Sequence, residues 1–147
     1  MHLKLFTKET KIFFKLLPYL ADAYYDNKRH ITIKELSALS GVLLHVNSLS
    51  MLVQAKIIHN AKVGSRSNLG YLFSRDPQDI TALEVVQVIQ GMPYIICTSE
   101  WYEKTGNICP VCKAMGEGLD KAIEALRNLT LYEYAQVVKT GMQEDDL

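Results

Sequence analysis

Three times this chain sets a threonine three residues ahead of a glutamate at the start of a run of helically spaced apolar residues. The segments are Thr32-Ile33-Lys34-Glu35, Thr81-Ala82-Leu83-Glu84 and Thr130-Leu131-Tyr132-Glu133. In such a capping box the threonine oxygen and the glutamate carboxylate satisfy backbone amides that a helix's first turn leaves without partners. The first box predicts a short helix carrying Leu36 and Leu39 and stopping at Ser40-Gly41. A second helix is expected from about Leu44 to Ala55, with Val46, Leu49, Leu52 and Val53 inward. Helix, glycine-containing turn, helix is the order of a helix-turn-helix unit. Ahead of it, Ile12, Phe13, Leu16, Leu17, Leu20, Ala21 and Tyr24 predict a first helix from about Thr7 to Tyr25.

After the helix pair, Ile57 to Val63 reads as a strand, residues 64–70 as a turn, and Tyr71-Leu72-Phe73 as a second strand, which places a β-hairpin where a wing would sit. The second box opens a helix with Ala82, Val85, Val86 and Ile89 on one face, stopped by Gly91-Met92-Pro93. Residues 94–111 show no helical period and are expected to form a long irregular loop. From about Val111 to Asn128, Met115, Leu119, Ala122, Ile123 and Leu126 mark a long amphipathic helix. Met115, Leu119, Ile123 and Leu126 would leave an apolar stripe in water, so this helix is expected to pair with a second copy of the chain. The third box opens a final short helix. The expected fold is mainly α with a small hairpin: a winged helix-turn-helix over residues 1–76, then a cysteine-loop sensor and helical dimerisation region over 77–147.

With 147 residues and 48% apolar side chains, the chain can bury a core without disulfides. Its longest apolar runs fall far short of the roughly 18 residues a membrane span needs, and its start lacks a signal-peptide pattern. A cytoplasmic location with no membrane partner is expected. The formal net charge of zero hides a division: residues 1–75 hold eight Lys, three Arg and four acids, a net +7, whereas residues 76–147 hold four Lys, one Arg and twelve acids, a net −7. Lysines and arginines displace the counterions condensed on phosphates, so double-stranded nucleic acid suits the first part alone.

Cys97, Cys109 and Cys112 lie within 16 positions of one another. In a cytoplasmic chain such a cluster points to metal binding or redox sensing rather than to stable disulfides. Cys109-Pro110-Val111-Cys112 spaces two thiolates to chelate one ion, and Cys97, on a loop, can fold back as a third. Soft thiolates select zinc or iron–sulfur clusters. The alternative is inert burial of cysteine as a small hydrophobe. Enzyme chemistry is not expected: Cys109 with His45 or His59 has no accompanying oxyanion or substrate motif, and residues 64–70 lack the Gly-Lys-Ser/Thr ending of a nucleotide loop.

The order of parts resembles the Rrf-two family of winged-helix transcription regulators over nearly the whole chain. The resemblance rests on Met1-His2-Leu3 with Phe6-Thr7, Ile33-Lys34-Glu35-Leu36-Ser37 before Ser40-Gly41-Val42, Gly70-Tyr71-Leu72, the run from Ile80 to Val86, and Asn128-Leu129-Thr130-Leu131. It implies a DNA-binding homodimer, in which the second helix of the pair enters the major groove, the wing touches the minor groove, and the long C-terminal helix builds a two-fold interface. His45, Asn47, Ser48 and Gln54 would then meet base edges or phosphates, Lys56 and Lys62 phosphates, and Arg66 with Asn68 the wing contacts. The chain departs from the family in a recognition helix about two residues short, with no Lys or Arg from Leu43 to Ala55, and in a wing without the usual triple glycine. Family members that hold an iron–sulfur cluster carry three cysteines in the corresponding loop. Cys109 matches the last of these, Cys112 falls where one branch has a histidine ligand, and Cys97 is an earlier loop cysteine. Glu100 or Glu103, or Glu9 reaching across a dimer, would complete the set. The resemblance implies a regulator, in particular a repressor, whose DNA affinity follows an iron–sulfur cluster or the redox state of this loop, with zinc as the alternative cofactor. The other reading is a relative that binds no DNA, or is stapled by zinc, and works through protein contacts.

Overall fold

A computed structural model describes residues 6–45, 47–64, 68–95 and 100–145, with side chains as far as Gly141. Helix α1 (Lys8–Tyr25) begins at Thr7, whose hydroxyl accepts the Thr10 amide, and it sends Phe13, Leu16, Leu17 and Leu20 into the core. Pro18 lies within it and does not end it. A short strand β1 (Ile31–Thr32) leads into α2 (Ile33–Ser40). Here only the threonine half of the box forms: Thr32 Oγ1 accepts the Glu35 amide, while the Glu35 carboxylate receives the Thr32 hydroxyl and the Arg29 guanidinium.

The second helix of the pair is shorter than its apolar spacing predicts. Instead of Leu44 to Ala55, α3 covers Ser50–Gln54. The reason lies in the polar residues just before it. Ser48 Oγ accepts the His45 amide at 2.9 Å, the Ser48 amide returns to the His45 carbonyl at 3.0 Å, and the Ser50 hydroxyl donates to the Asn47 carbonyl at 2.8 Å. These local bonds hold a turn that competes with helix, as serine and asparagine commonly do. Leu44 and Leu49 still reach the core, so the turn is pinned at both ends.

Strands β2 (Ile58–Val63) and β3 (Asn68–Phe73) make the expected hairpin, and β1 joins its far side to give an antiparallel sheet of order β1-β3-β2. A 3-10 turn (Pro77–Asp79) precedes α4 (Ala82–Gln90), where the second capping box is complete. The stretch expected to be irregular contains a helix, α5 (Glu100–Thr105), which buries nothing and so leaves no apolar period to read. Among the described residues the bonds that end it are local, the Thr105 hydroxyl donating to the Trp101 carbonyl and the amide of Gly106 (φ 71°) to the Tyr102 carbonyl. Helix α6 (Pro110–Asn128) follows, and the final helix α7 (Leu131–Asp145) is long rather than short.

One core joins α1, α2, α3, the sheet, α4 and α7. Phe13, Leu16, Leu17 and Leu20 meet Ile31, Leu36, Leu49, Leu52, Tyr71 and Phe73 on one side and Ile80, Val85, Leu131 and Ala135 on the other. It therefore runs across the expected boundary at residue 76. Among the described residues no helix is long and apolar enough to cross a membrane.

Candidate nucleic-acid interface and cysteine pair

Gly41 ends α2 in the left-handed conformation (φ 70°), and its amide bonds to Ser37. Between α2 and α3 residues 42–45 and 47–49 are described; Val46, expected inward, lies outside the described residues. His45, Asn47, Ser48 and Gln54, four of the residues expected to meet DNA, are all exposed, the first three ahead of α3 and Gln54 at its end. Ser48 spends its oxygen on the His45 amide. The expected contacts left out the apolar side chains of this segment. Leu43 is 82% exposed and Leu39 and Met51 about half exposed, beside side chains of donor and acceptor type. Such a mixture can meet adenine edges through amides and thymine methyl groups through apolar contact. The signal was present in Leu43-Leu44, two leucines of which a helical or turning backbone can bury only one.

Lys56 follows α3 with φ 61° and is exposed, as are Lys62 on β2 and Asn68 on β3. Arg66, the expected wing-tip contact, lies outside the described residues. The net +7 is in part already spent inside the fold. Arg29 is held by Asp26 at 3.5 Å and Glu35 at 2.9 Å, and Arg75 by Glu84 at 2.6 Å and the Asp79 carbonyl. Lys34, Lys56 and Lys62, near α2, α3 and the hairpin, are exposed.

Gly70 positions the hairpin. A Cβ there would stand 2.4 Å from Val63 Cγ2 and 2.7 Å from His30 Cβ, closer than any side chain tolerates. The missing methylene lets the strands flanking β3 close over it.

Cys109 is the N-cap of α6, with its Sγ accepting the Cys112 amide at 3.3 Å and Pro110 in the first helical position. The two-residue spacing is thus also a helix-capping geometry. Cys109 and Cys112 are half-exposed and not joined in a disulfide, while Cys97 lies outside the described residues. The carboxylates expected to complete the set stand apart: Glu9 is exposed on α1, Glu103 is exposed on α5, and Glu100 faces Lys104 at 3.8 Å. Among the described residues no three His, Cys, Asp or Glu side chains converge on a common point. The protomer therefore offers two thiols and no third donor within the described residues.

Helix α6 buries no residue completely. Met115, Leu119, Ala122, Ile123 and Leu126 are half-buried and line two adjoining hollows of about 370 and 230 Å³, shared with Phe6, Pro93, Tyr94 and Ile95.

A helix pair packed on a leading helix, followed by a hairpin that shares its sheet with a strand ahead of the pair, defines a winged helix, here extended by long C-terminal helices. The amino-acid sequence matches no family model, and no curated protein is significantly similar to it. Solved structures share the fold over almost the whole chain. CymR (YrzC), the global cysteine regulator of B. subtilis, is 18% identical, with 92% of this chain and 98% of that one aligned at a TM-score of 0.71. IscR of T. potens is 19% identical, with 94% and 90% aligned and a TM-score of 0.65. CymR of Staphylococcus aureus is 19% identical, with 88% and 96% aligned and a TM-score of 0.61. The resemblance read from the sequence is met by the fold.

Proposed function

We propose that this protein is a homodimeric, double-stranded-DNA-binding transcription regulator, in particular a repressor, whose affinity is set at its cysteine loop. The observation that carries the reading is the likeness of fold to the two regulators above over 92% and 94% of the chain, together with a long helix α6 that buries no residue completely. Residues 1–76 supply the DNA side through His45, Asn47, Ser48, Gln54, Lys56, Lys62, Arg66 and Asn68. Residues 77–147 supply the sensor and the dimer face, Met115, Leu119, Ile123 and Leu126. A two-fold dimer would set its two helix pairs about 34–36 Å apart to meet successive turns of one DNA face.

The thiol pair is placed to influence that spacing, because Cys109 caps the helix that carries the dimer face. Two thiolates fit part of an iron–sulfur or zinc donor set, and Cys97 would be the third. The chain's own contribution is the cap: engaging the Cys109 sulfur elsewhere withdraws the acceptor from the Cys112 amide and loosens the first turn of α6. Oxidation would act on the same two sulfurs without a metal. A Cys109–Cys112 disulfide forms as the two thiols give up two electrons and two protons to a peroxide or disulfide oxidant.

A second reading, protein contacts in place of DNA, is favoured by the exposed Leu39, Leu43 and Met51 on a stretch without arginine or lysine. One experiment separates them. Protein purified without oxygen is assayed for iron, zinc and visible absorption, and then selected against a random duplex library. Recovery of a two-fold-symmetric sequence supports the regulator. Failure to enrich any duplex in the metal-bound, metal-free, reduced or oxidised state rejects it. Leu119→Glu should yield monomers in sedimentation and lose the enriched duplex.

A further inference from the structure

The rings of His30 and His59, 29 residues apart in sequence, meet with their Nε2 atoms 3.2 Å apart and their planes crossing at 73°. His30 directly precedes β1 and His59 lies in β2, so the pair spans the sheet across the central strand. The register explains how. His59 is opposite Leu72 of β3, and Ile31 is opposite Tyr71, which brings His30 to the other side of Leu72. Two residues along β3 is Gly70, on the same face, where an added Cβ would strike His30. The close approach of His30 to β3 is thus built into the strand beneath it.

Two neutral imidazoles that bring their Nε2 atoms together can share one proton or one metal ion. Zinc–nitrogen bonds of about 2.0–2.1 Å at a tetrahedral angle set the two nitrogens about 3.3–3.4 Å apart. The observed separation is within about 0.2 Å of that value, so the distance suits one shared ion once the rings turn their lone pairs toward it. Imidazole nitrogen suits zinc, copper and nickel among the divalent ions. We infer that His30 and His59 form a two-imidazole chelate for a borderline divalent cation of the zinc, copper or nickel type, which clips β1 to β2 across the base of the hairpin. No further His, Cys, Asp or Glu joins them among the described residues, and His59 is exposed, so water completes the coordination. Such an ion is exchangeable. It is also separate from the cysteine loop and does not depend on DNA binding. Its mechanical effect is specific: the loop leading to β1 carries Asn27 and Lys28 at φ 54°, a conformation unfavourable for side chains, and the clip fixes the end of that loop to the hairpin.

The full chain with Cys97, Cys109 and Cys112 changed to serine removes the competing thiolates. Zinc chloride is titrated into this protein while the histidine ring resonances are followed by nitrogen–proton NMR. The chelate requires that one zinc per chain shift His30 and His59 together and leave His2 and His45 in place. It also requires that His30→Gln and His59→Gln each weaken zinc binding at least tenfold in calorimetry. Zinc that moves neither His30 nor His59, or that binds His59→Gln as tightly as its parent, overturns the site and leaves the pair as an imidazole–imidazole hydrogen bond. The ring shifts in the parent decide the matter even if a glutamine variant folds poorly.

Discussion

Thr81 and Thr130 lie opposite each other in an antiparallel bridge, each capping its own helix. The Ala82 amide donates to the Leu129 carbonyl at 2.8 Å and the Leu131 amide to the Ile80 carbonyl at 2.9 Å. The start of α4, which packs on α3, is thereby stapled to the joint between α6 and α7. Movement of α6 has a backbone route to α4 and the α3 it packs on through this joint.

The Thr81 box is complete, with Glu84 also held by Arg75, whereas the return bond from the Thr130 amide to Glu133 is 3.5 Å long. Thr81→Ala should cost about 1 kcal/mol, within the usual range for lost caps, and Thr130→Ala less. Urea unfolding of both variants measures the difference. Equal losses would show that the bridge, and not the caps, supplies the stability.

Gly70→Ala forces a methyl group against Val63 and His30. Overpacking of this kind costs about 1–3 kcal/mol, and the strands must separate to relieve it. Adding Val63→Ala should restore part of the loss, leaving the clash with His30. Thermal melts of the single and double variants check the order.

The Tyr25 hydroxyl donates to Asp76 Oδ1 at 2.6 Å, joining the end of α1 to the segment after β3. That bond holds the Asp76 carboxyl below its ordinary value of 3.8, with the Gln78 amide adding to the effect. A folded-state pKa below the unfolded one gives stability that is complete above the unfolded value and disappears as pH falls through the folded one. In Tyr25→Phe the acid limb should therefore flatten below about pH 4, while stability falls at neutral pH. An unchanged acid limb would mean that the Gln78 amide alone sets Asp76.

The three boxes made the helix starts legible, and the turn-rich residues 64–70 made the hairpin legible. The segment from Leu44 to α3 was not, because apolar spacing at Leu44, Leu49 and Leu52 also fits a pinned turn, and the serine and asparagine bonds that decide between the two are local. Helix α5 left no trace because it buries nothing. The histidine pair was invisible since strand register, not spacing, brings residues 29 apart together. The thiol spacing was read as chelation, but Cys109 also serves as a cap, a role the Cys-Pro sequence before an amphipathic run could have signalled.

If the exposed face of residues 39–54 reads DNA, its apolar side chains should distinguish thymine from uracil. Replacing thymine by uracil in the selected duplex removes only the methyl groups that Leu43 and Met51 can touch. Wild-type affinity should fall severalfold, and Leu43→Ser should bind both duplexes alike. Lys56→Ala and Lys62→Ala should instead lower the salt slope by about 0.9 per lost phosphate contact on a logarithmic plot. A salt slope unchanged in both lysine variants would remove them from the interface.

Cys109 holds two roles in one atom, and two substitutions separate them. Serine keeps an acceptor for the Cys112 amide and is itself a favoured helix cap, whereas alanine removes the acceptor. Cys109→Ser should keep α6 and the dimer within about 0.5 kcal/mol of the parent, and Cys109→Ala should lose about 1 kcal/mol. Both should equally abolish any response of DNA affinity to peroxide or to anaerobic iron loading, since neither retains a thiol at position 109. If Cys109→Ser still responds while Cys109→Ala does not, the cap transmits the signal and sulfur chemistry at this position is dispensable. If both still respond, the sensor lies elsewhere in the chain, and Cys109 is a capping residue alone.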